Sequence, residues 1–215
     1  RHLRLGFLSA DFRQHPVGFL THRLFGTLDR DRFEVFGYSL LPVSDPVTAV
    51  VEMGCDVFRS CARFADLEVA RRIADDGVDV LVDLTGHTTY SRPTILALRP
   101  APMAVQHTGY VNTLGASFVG WQVVDRTVVG PEQRPWFSER LIVLPDCLFP
   151  VTPLGALAAL PGPPPTRAEL GLPEGVPLFC SFNAPHKLDP PTFDAWATIL
   201  RQVPDAVLWL YDGDT

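Results

Sequence analysis

The stretch DLEVARRIADDGVDVLVDLTG, residues 66–86, constrains this chain more than any other. Residues 66–77 carry a helical pattern with Asp66 as the expected N-cap and Gly77 as the stop. Aspartate accepts from the free N–H groups at a helix start, and glycine enters the left-handed turn at a helix end without strain. The apolar run VDVLVDLT, 78–85, follows with no spacer and reads as a strand. Helix feeding directly into strand implies a layered fold in which helices cover a mostly parallel sheet.

The same alternation runs through the first two thirds of the chain. LRLGFLS (3–9) reads as a strand, GFLTHRLFGTLD (18–29) as a helix with Phe19, Leu20, Leu24, Phe25 and Leu28 at helical spacing, and FEVFGYSL (33–40) as the next strand. Further strands are expected at 102–108, 121–125 and 140–145. The fold class is therefore α/β: a Rossmann-like, mostly parallel sheet with flanking helices.

With 215 residues, 47% of them hydrophobic, the chain is long enough for one large domain and part of a second. The stretch 150–177 is too dense in proline for regular structure and reads as a linker. Beyond it come a strand (177–182), a loop, a helix opening on proline (190–203) and a strand (206–211). One such βαβ unit cannot cover both faces of its own sheet. The expected organisation is a Rossmann-like domain at 1–149, a linker at 150–176, and the start of a second domain at 177–215, cut short.

Charge and composition exclude several functions. A net charge of −6 without a Lys or Arg run gives no footprint for nucleic acid. No stretch approaches the ~20 apolar residues of a membrane span, and Asp11 follows the first apolar run too soon for a secretory signal. The four cysteines, Cys55, Cys61, Cys147 and Cys180, match neither a CxxC nor a zinc pattern, as expected of reduced thiols in a cytoplasmic protein. A chain opening on arginine without methionine reads as cut from something longer.

In a parallel sheet the loops leaving the carboxyl ends of the strands line one crevice, so polar residues there are the candidates. SADFRQHP follows the first strand and carries His15; GHTTYSR follows 78–85 and carries His87; GYVNTLG follows 102–108; NAPHK follows 177–182 and carries Lys187. Each has a plain structural alternative: a histidine before proline as a helix-start residue, Gly109 and Gly115 as turn residues, Lys187 as a solvated side chain before a helix. Asp11 and Asp83 could serve as acid or base, although Asp11 suits a cap equally well. Neither GxGxxG nor GxxxxGK[ST] is present, so dinucleotide and P-loop readings lose support.

Taken together, LRLGFLSADFRQHPVGFL, VDVLVDLTGHT, ALRPAPMAVQHTGYVNTLGA, RLIVLPDC and SFNAPHKLDPPTFDAWATILRQVPDAVLWL resemble the catalytic region of the O-GlcNAc transferase and SPINDLY family over nearly the whole chain. The resemblance implies the N-terminal half of a glycosyltransferase B architecture plus the first βαβ of its second Rossmann-like domain. It implies transfer of GlcNAc or fucose from a nucleotide diphosphate to Ser or Thr of proteins, without metal or cofactor. The donor would be a nucleotide-sugar such as UDP-GlcNAc or GDP-fucose. The partners would be that donor and a protein or peptide acceptor, with no nucleic acid or membrane and with tetratricopeptide repeats upstream.

By the same resemblance His15 lies against the donor sugar and phosphates and is a candidate base, and Lys187 contacts the diphosphate. His87, Thr108, Gly109, Tyr110, Asn112 and Asn183 line the substrate site, with the backbone of 108–110 approaching the sugar. The chain departs from the family pattern at His107, where Trp is usual, at Val111, where Pro is usual, and at Ala184, where some members have Gln. LTGHT and LPDC are closer to the SPINDLY branch, which leaves the donor open. A transferase-like module that binds protein partners or a sugar nucleotide without turnover is the alternative reading.

Overall fold

The computed structural model describes residues 2–150 and 162–212. The chain divides into two compact units, Arg1–Ala156 and Leu157–Thr215. Among the described residues no helix is long and apolar enough to cross a membrane.

The first unit is built on seven strands: β1 (Leu3–Ser9), β2 (Phe33–Ser39), β3 (Val57–Ser60), β4 (Val80–Asp83), β5 (Met103–Gln106), β6 (Trp121–Asp125) and β7 (Arg140–Leu144). They form one sheet in the order β3-β2-β1-β4-β5-β6-β7, and every pair is parallel. Five helices connect them: α1 (Pro16–Thr21), α2 (Leu24–Thr27), α3 (Pro46–Met53), α4 (Asp66–Asp75) and α5 (Pro93–Ala97). Both faces of the sheet are covered, as the alternation in sequence requires. On one face Leu8, Tyr38 and Leu81 pack with Val69 and Ile73 of α4 and Ile95 of α5. On the other, Phe7, Val35 and Leu84 pack with Phe25 of α2 and Val51 of α3, and Phe25 takes the rings of Phe7 and Phe12 edge-on at 5.0 and 5.5 Å.

Local expectations are corrected in two places. The single helix expected over 18–29 is two short ones, α1 starting earlier on Pro16. The His22 ring nitrogen Nδ1 takes the carbonyl oxygens of Gly18 and Phe19 at 3.2 and 2.9 Å, which ends α1 there. The N-cap of α4 is Ala65 rather than Asp66. Glu68 reaches back to the Ala65 N–H at 3.1 Å, while Asp66 occupies the first helical position and binds Arg92. Gly77 does end this helix, at φ +63. Three elements escape sequence reading: β3 is only four residues long, α5 only five, and α3 hides in the apolar run PVTAVVEM behind its cap, Asp45.

The second unit is a βαβ. Strands β8 (Leu178–Ser181) and β9 (Val207–Leu210) pair in parallel and α6 (Pro190–Gln202) joins them. The Asp189 side chain caps α6 by accepting from Thr192 N–H at 2.9 Å. Of the expected linker, residues 151–161 lie outside the described residues, and 162–177 form turns without strand or helix.

At the amino end of the first sheet, Asp76 gathers three elements. Its carboxylate accepts from Tyr38 Oη on β2 at 2.7 Å and from Arg59 Nε on β3 at 2.7 Å, and its carbonyl accepts from Arg4 of β1 at 2.9 Å. Hydrogen bonds to a charged group contribute about 1.5–3 kcal/mol each, so Asp76→Ala should lower the unfolding free energy by at least about 2 kcal/mol. Urea titration of wild type and variant measures it as a lower midpoint at unchanged slope.

Candidate functional site at the carboxyl edge of the sheet

In the strand order the chain steps outward from β1 in both directions, through β2 and β3 on one side and β4 to β7 on the other. The loops after β1 and β4 therefore leave in opposite directions and open a crevice between them. The sequence-predicted residues His15 and His87 lie in these two loops. The loops are tied at their roots, where Ala10 N–H donates to Thr85 Oγ1 at 3.1 Å.

The first loop is held rigidly. Ser9, Asp11 and Phe12 are buried. Asp11 N–H donates to Ser9 Oγ at 2.9 Å, Thr48 Oγ1 of α3 donates to the Phe12 carbonyl at 2.7 Å, and Gln14 N–H donates to Asp45. Gly18 permits the turn into α1, because a Cβ there would lie 2.1 Å from the Arg13 carbonyl oxygen. Asp11 takes Arg13 Nη2 at 3.1 Å and stands 3.5 Å from His15 Nδ1.

His15 is the N-cap of α1, and its Nδ1 accepts from Val17 N–H at 3.3 Å. An acceptor nitrogen carries no proton, so the neutral ring bears its hydrogen on Nε2. Burial lowers the His15 pKa from its ordinary value, and Arg13 adds to this, against the pull of Asp11 upward. Burial and Arg13 thus favour the neutral ring, which offers that N–H.

The second loop turns on Asp83 and Gly86. Asp83, at the end of β4, accepts from the Thr85 and Gly86 N–H groups at 3.1 and 3.0 Å. Gly86 has φ +60, and a Cβ on it would meet Tyr110 Cβ at 2.4 Å. His87 stands edge-on to the Tyr110 ring at 5.4 Å and donates from Nε2 to the Leu114 carbonyl at 2.9 Å, which leaves Nδ1 as its free nitrogen.

The third loop, after β5, is fastened at both ends. Gln122 Nε2 donates to the Tyr110 carbonyl at 3.2 Å, and buried Glu139 accepts from Leu114 N–H at 2.8 Å and Thr113 Oγ1 at 2.7 Å. Thr108 adopts φ +70, and its hydroxyl is buried without a protein partner. A Cβ on Gly109 would sit 1.9 Å from the Leu84 carbonyl oxygen, which requires glycine for packing. Val111 and Asn112 are exposed at the tip. His107 is half-buried, desolvation lowers its pKa from the ordinary value, and Nε2 donates to the Leu148 carbonyl at 2.8 Å. It braces the segment after β7.

In the second unit, Asn183 and Lys187 lie in the loop at the carboxyl end of β8, both exposed. Asn183 is within 3.5 Å of Ser181 Oγ, and Lys187 closes a 3-10 turn, Pro185–Lys187. Arg13, Gln106, Gln122 and Glu139 are site-supporting residues that sequence reading missed. Two of them carried a signal, a glutamine inside an otherwise apolar strand.

A doubly wound parallel domain with its polar loops gathered at the switch point is a binding fold for nucleotide-type ligands. Residues 1–152 and 164–213 match the Glycosyl transferase family 41 profile, and the chain belongs to that family. It is 32% identical over 213 residues to an Arabidopsis thaliana protein named probable UDP-N-acetylglucosamine–peptide N-acetylglucosaminyltransferase SEC, covering 98% of this chain and 22% of that protein. It is 30% identical to the Arabidopsis protein of the same description named SPINDLY, covering 97% and 22%. It is similar in structure to a solved O-GlcNAc transferase variant from Thermobaculum terrenum, with TM-score 0.87 and 33% identity over 98% of this chain and 38% of that one. The expected fold, a Rossmann-like half of a glycosyltransferase B architecture followed by a βαβ, is borne out. The chain spans about a fifth of the length of these curated relatives.

Burial pushes the Asp83 carboxyl up to about 6, against the lowering by the Thr85 and Gly86 N–H groups and by His87. A carboxyl raised in the folded state adds stability that is full below its unfolded pKa, ~3.9, and is lost as pH rises through the folded value. The melting temperature of Asp83→Asn minus that of wild type should therefore increase between pH 4 and 7. Thermal melts across that range test it; a flat difference would show that Asp83 does not titrate there.

Proposed function

We propose that this chain is the donor- and acceptor-facing part of a protein O-glycosyltransferase that moves GlcNAc from a UDP-linked donor to Ser or Thr hydroxyls, without a metal ion. Family membership and the names of the relatives support the reaction class and the donor. The observation that carries the mechanism is the His15 ring, held by Val17 N–H at Nδ1 with its proton on Nε2.

In the reaction the acceptor oxygen bonds to the anomeric carbon, the bond from that carbon to the diphosphate oxygen breaks, and the diphosphate leaves with the electron pair. His15 Nε2–H donates a hydrogen bond to the donor and orients it. In this tautomer His15 is a positioning group rather than the base, and the hydroxyl proton passes to an oxygen of the departing diphosphate. Lys187, exposed after β8, supplies positive charge for the departing diphosphate, whose negative charge grows in the transition state. His87 Nδ1, Asn112 and the Thr108–Tyr110 backbone line the sugar and acceptor sites of the first unit, and Asn183 lies beside Lys187 in the second.

Substitution of His15 separates cap from chemistry. Asparagine caps helices well, whereas alanine does not and costs about 1 kcal/mol. In the full-length protein, His15→Asn should keep the wild-type melting temperature yet lose most transfer of GlcNAc to a Ser/Thr peptide, and His15→Ala should lose both. Full transfer by His15→Asn would leave the histidine as a cap only.

Lys187→Met should weaken donor binding and lower kcat further, by about 10²–10³, the usual loss for one preorganised electrostatic contact. Transfer should continue in excess EDTA. Wild-type kcat in Lys187→Met, or strict dependence on a divalent metal, would overturn the mechanism. Sugar-nucleotide binding with no turnover by the wild type would identify a binding module instead.

A further inference from the structure

Asp83, Gln106 and Gln122 are register partners on β4, β5 and β6, so their side chains leave one face of the sheet in a single row just beneath the site. All three are buried, at 5%, 0% and 0% exposure. Asp83 at one end of the row holds the 84–87 loop through two backbone N–H groups, and Gln122 at the other holds the Tyr110 carbonyl. Gln106 stands between them under Gly86, where a Cβ would lie 2.8 Å from Gln106 Nε2.

Both ends of the Gln106 amide, Gln122 Oε1 and Thr108 Oγ1 are buried without a protein partner. Such groups cost folding free energy, and an apolar side chain of the same volume would serve the core better. Directly above them, Thr108 holds a left-handed backbone that a non-glycine residue keeps only when its surroundings impose it.

We propose that Gln106 and Gln122 are positioning residues for the transfer reaction, a buried polar rung that sets the height of the 108–110 backbone and keeps it in register with the 84–87 loop. The pair touches no substrate. Gln122 acts through Tyr110, whose carbonyl it anchors and whose side chain packs on Gly86 and His87, and Gln106 acts through Gly86, beneath which its amide lies. This inference rests on the transferase reading for its consequence but not for its geometry.

The test replaces each glutamine by the isosteric apolar residue in the full-length protein: Gln106→Met, Gln122→Met and the double variant. Methionine fills the space of the amide and removes the unpartnered atoms, so Gln106→Met should melt at or above the wild-type temperature. Even so, kcat/KM for glycosyl transfer should fall about 10- to 100-fold in the variants, as when a supporting shift misplaces reacting groups by about 1 Å. Amide exchange at Gly109 and Tyr110 should quicken, with β1 and β2 unchanged. Stability retained with activity lost is a combination that a purely structural role does not produce.

Wild-type kcat/KM in both single variants overturns the proposal. So does a loss that follows a lowered melting temperature and comes with faster exchange throughout the first unit. If the wild type itself transfers no sugar, the transferase reading fails, and the exchange at Gly109 and Tyr110 alone decides whether the glutamines hold the loop.

Discussion

The site depends on two backbones meeting across the carboxyl edge of β4 and β5. A Cβ at Gly109 would lie 1.9 Å from the Leu84 carbonyl oxygen, and one at Gly86 would lie 2.4 Å from Tyr110 Cβ. Each loop thus supplies the glycine that lets the other approach. Asp83 shapes one loop and Gln122 and Glu139 fasten the other, so the polar residues above them inherit their positions from buried hydrogen bonds. Preorganisation of this kind lets neutral loop backbone take part in recognition without an ordering cost when the ligand arrives.

His15 shows the same economy in a single side chain. Its Nδ1 is spent on the first turn of α1, and that expenditure fixes which proton the other nitrogen carries. A helix cap and the role proposed for this histidine are compatible, because the cap occupies one ring nitrogen and leaves the other. His87 is divided similarly, with Nε2 given to Leu114 and Nδ1 left free. A local contact holds the His15 ring, whereas a contact 27 residues distant holds His87.

Much of the fold was legible because period and punctuation agreed. The helix at 66–77 ends on a glycine and runs straight into β4, and the strands of the first unit recur at spacings that only a parallel sheet accommodates. β3 and α5, four and five residues long, were not legible, whereas the equally short β4 was read because it lies in the longer apolar run 78–85. The break between α1 and α2 was hidden because the His22 ring ends the helix by a side-chain contact with its carbonyls, which an apolar pattern does not reveal. The four candidate loops could be named from their place after strands, yet the residues beneath them could not. Gln106 and Gln122 lie 16 positions apart and become neighbours only through the pairing of β5 with β6.

The sequence by itself determined the layered α/β class, the positions of most strands, the loops that carry chemistry and the family resemblance. These depend on local periodicity and on short motifs that remain contiguous along the chain. Only the tertiary structure decided the strand order that opens the crevice between β1 and β4, the contact of His87 Nε2 with Leu114, and the buried row of Asp83, Gln106 and Gln122. Each of these is set by hydrogen bonds and close contacts between residues brought together by sheet register, and register is a property of paired strands that no single segment contains.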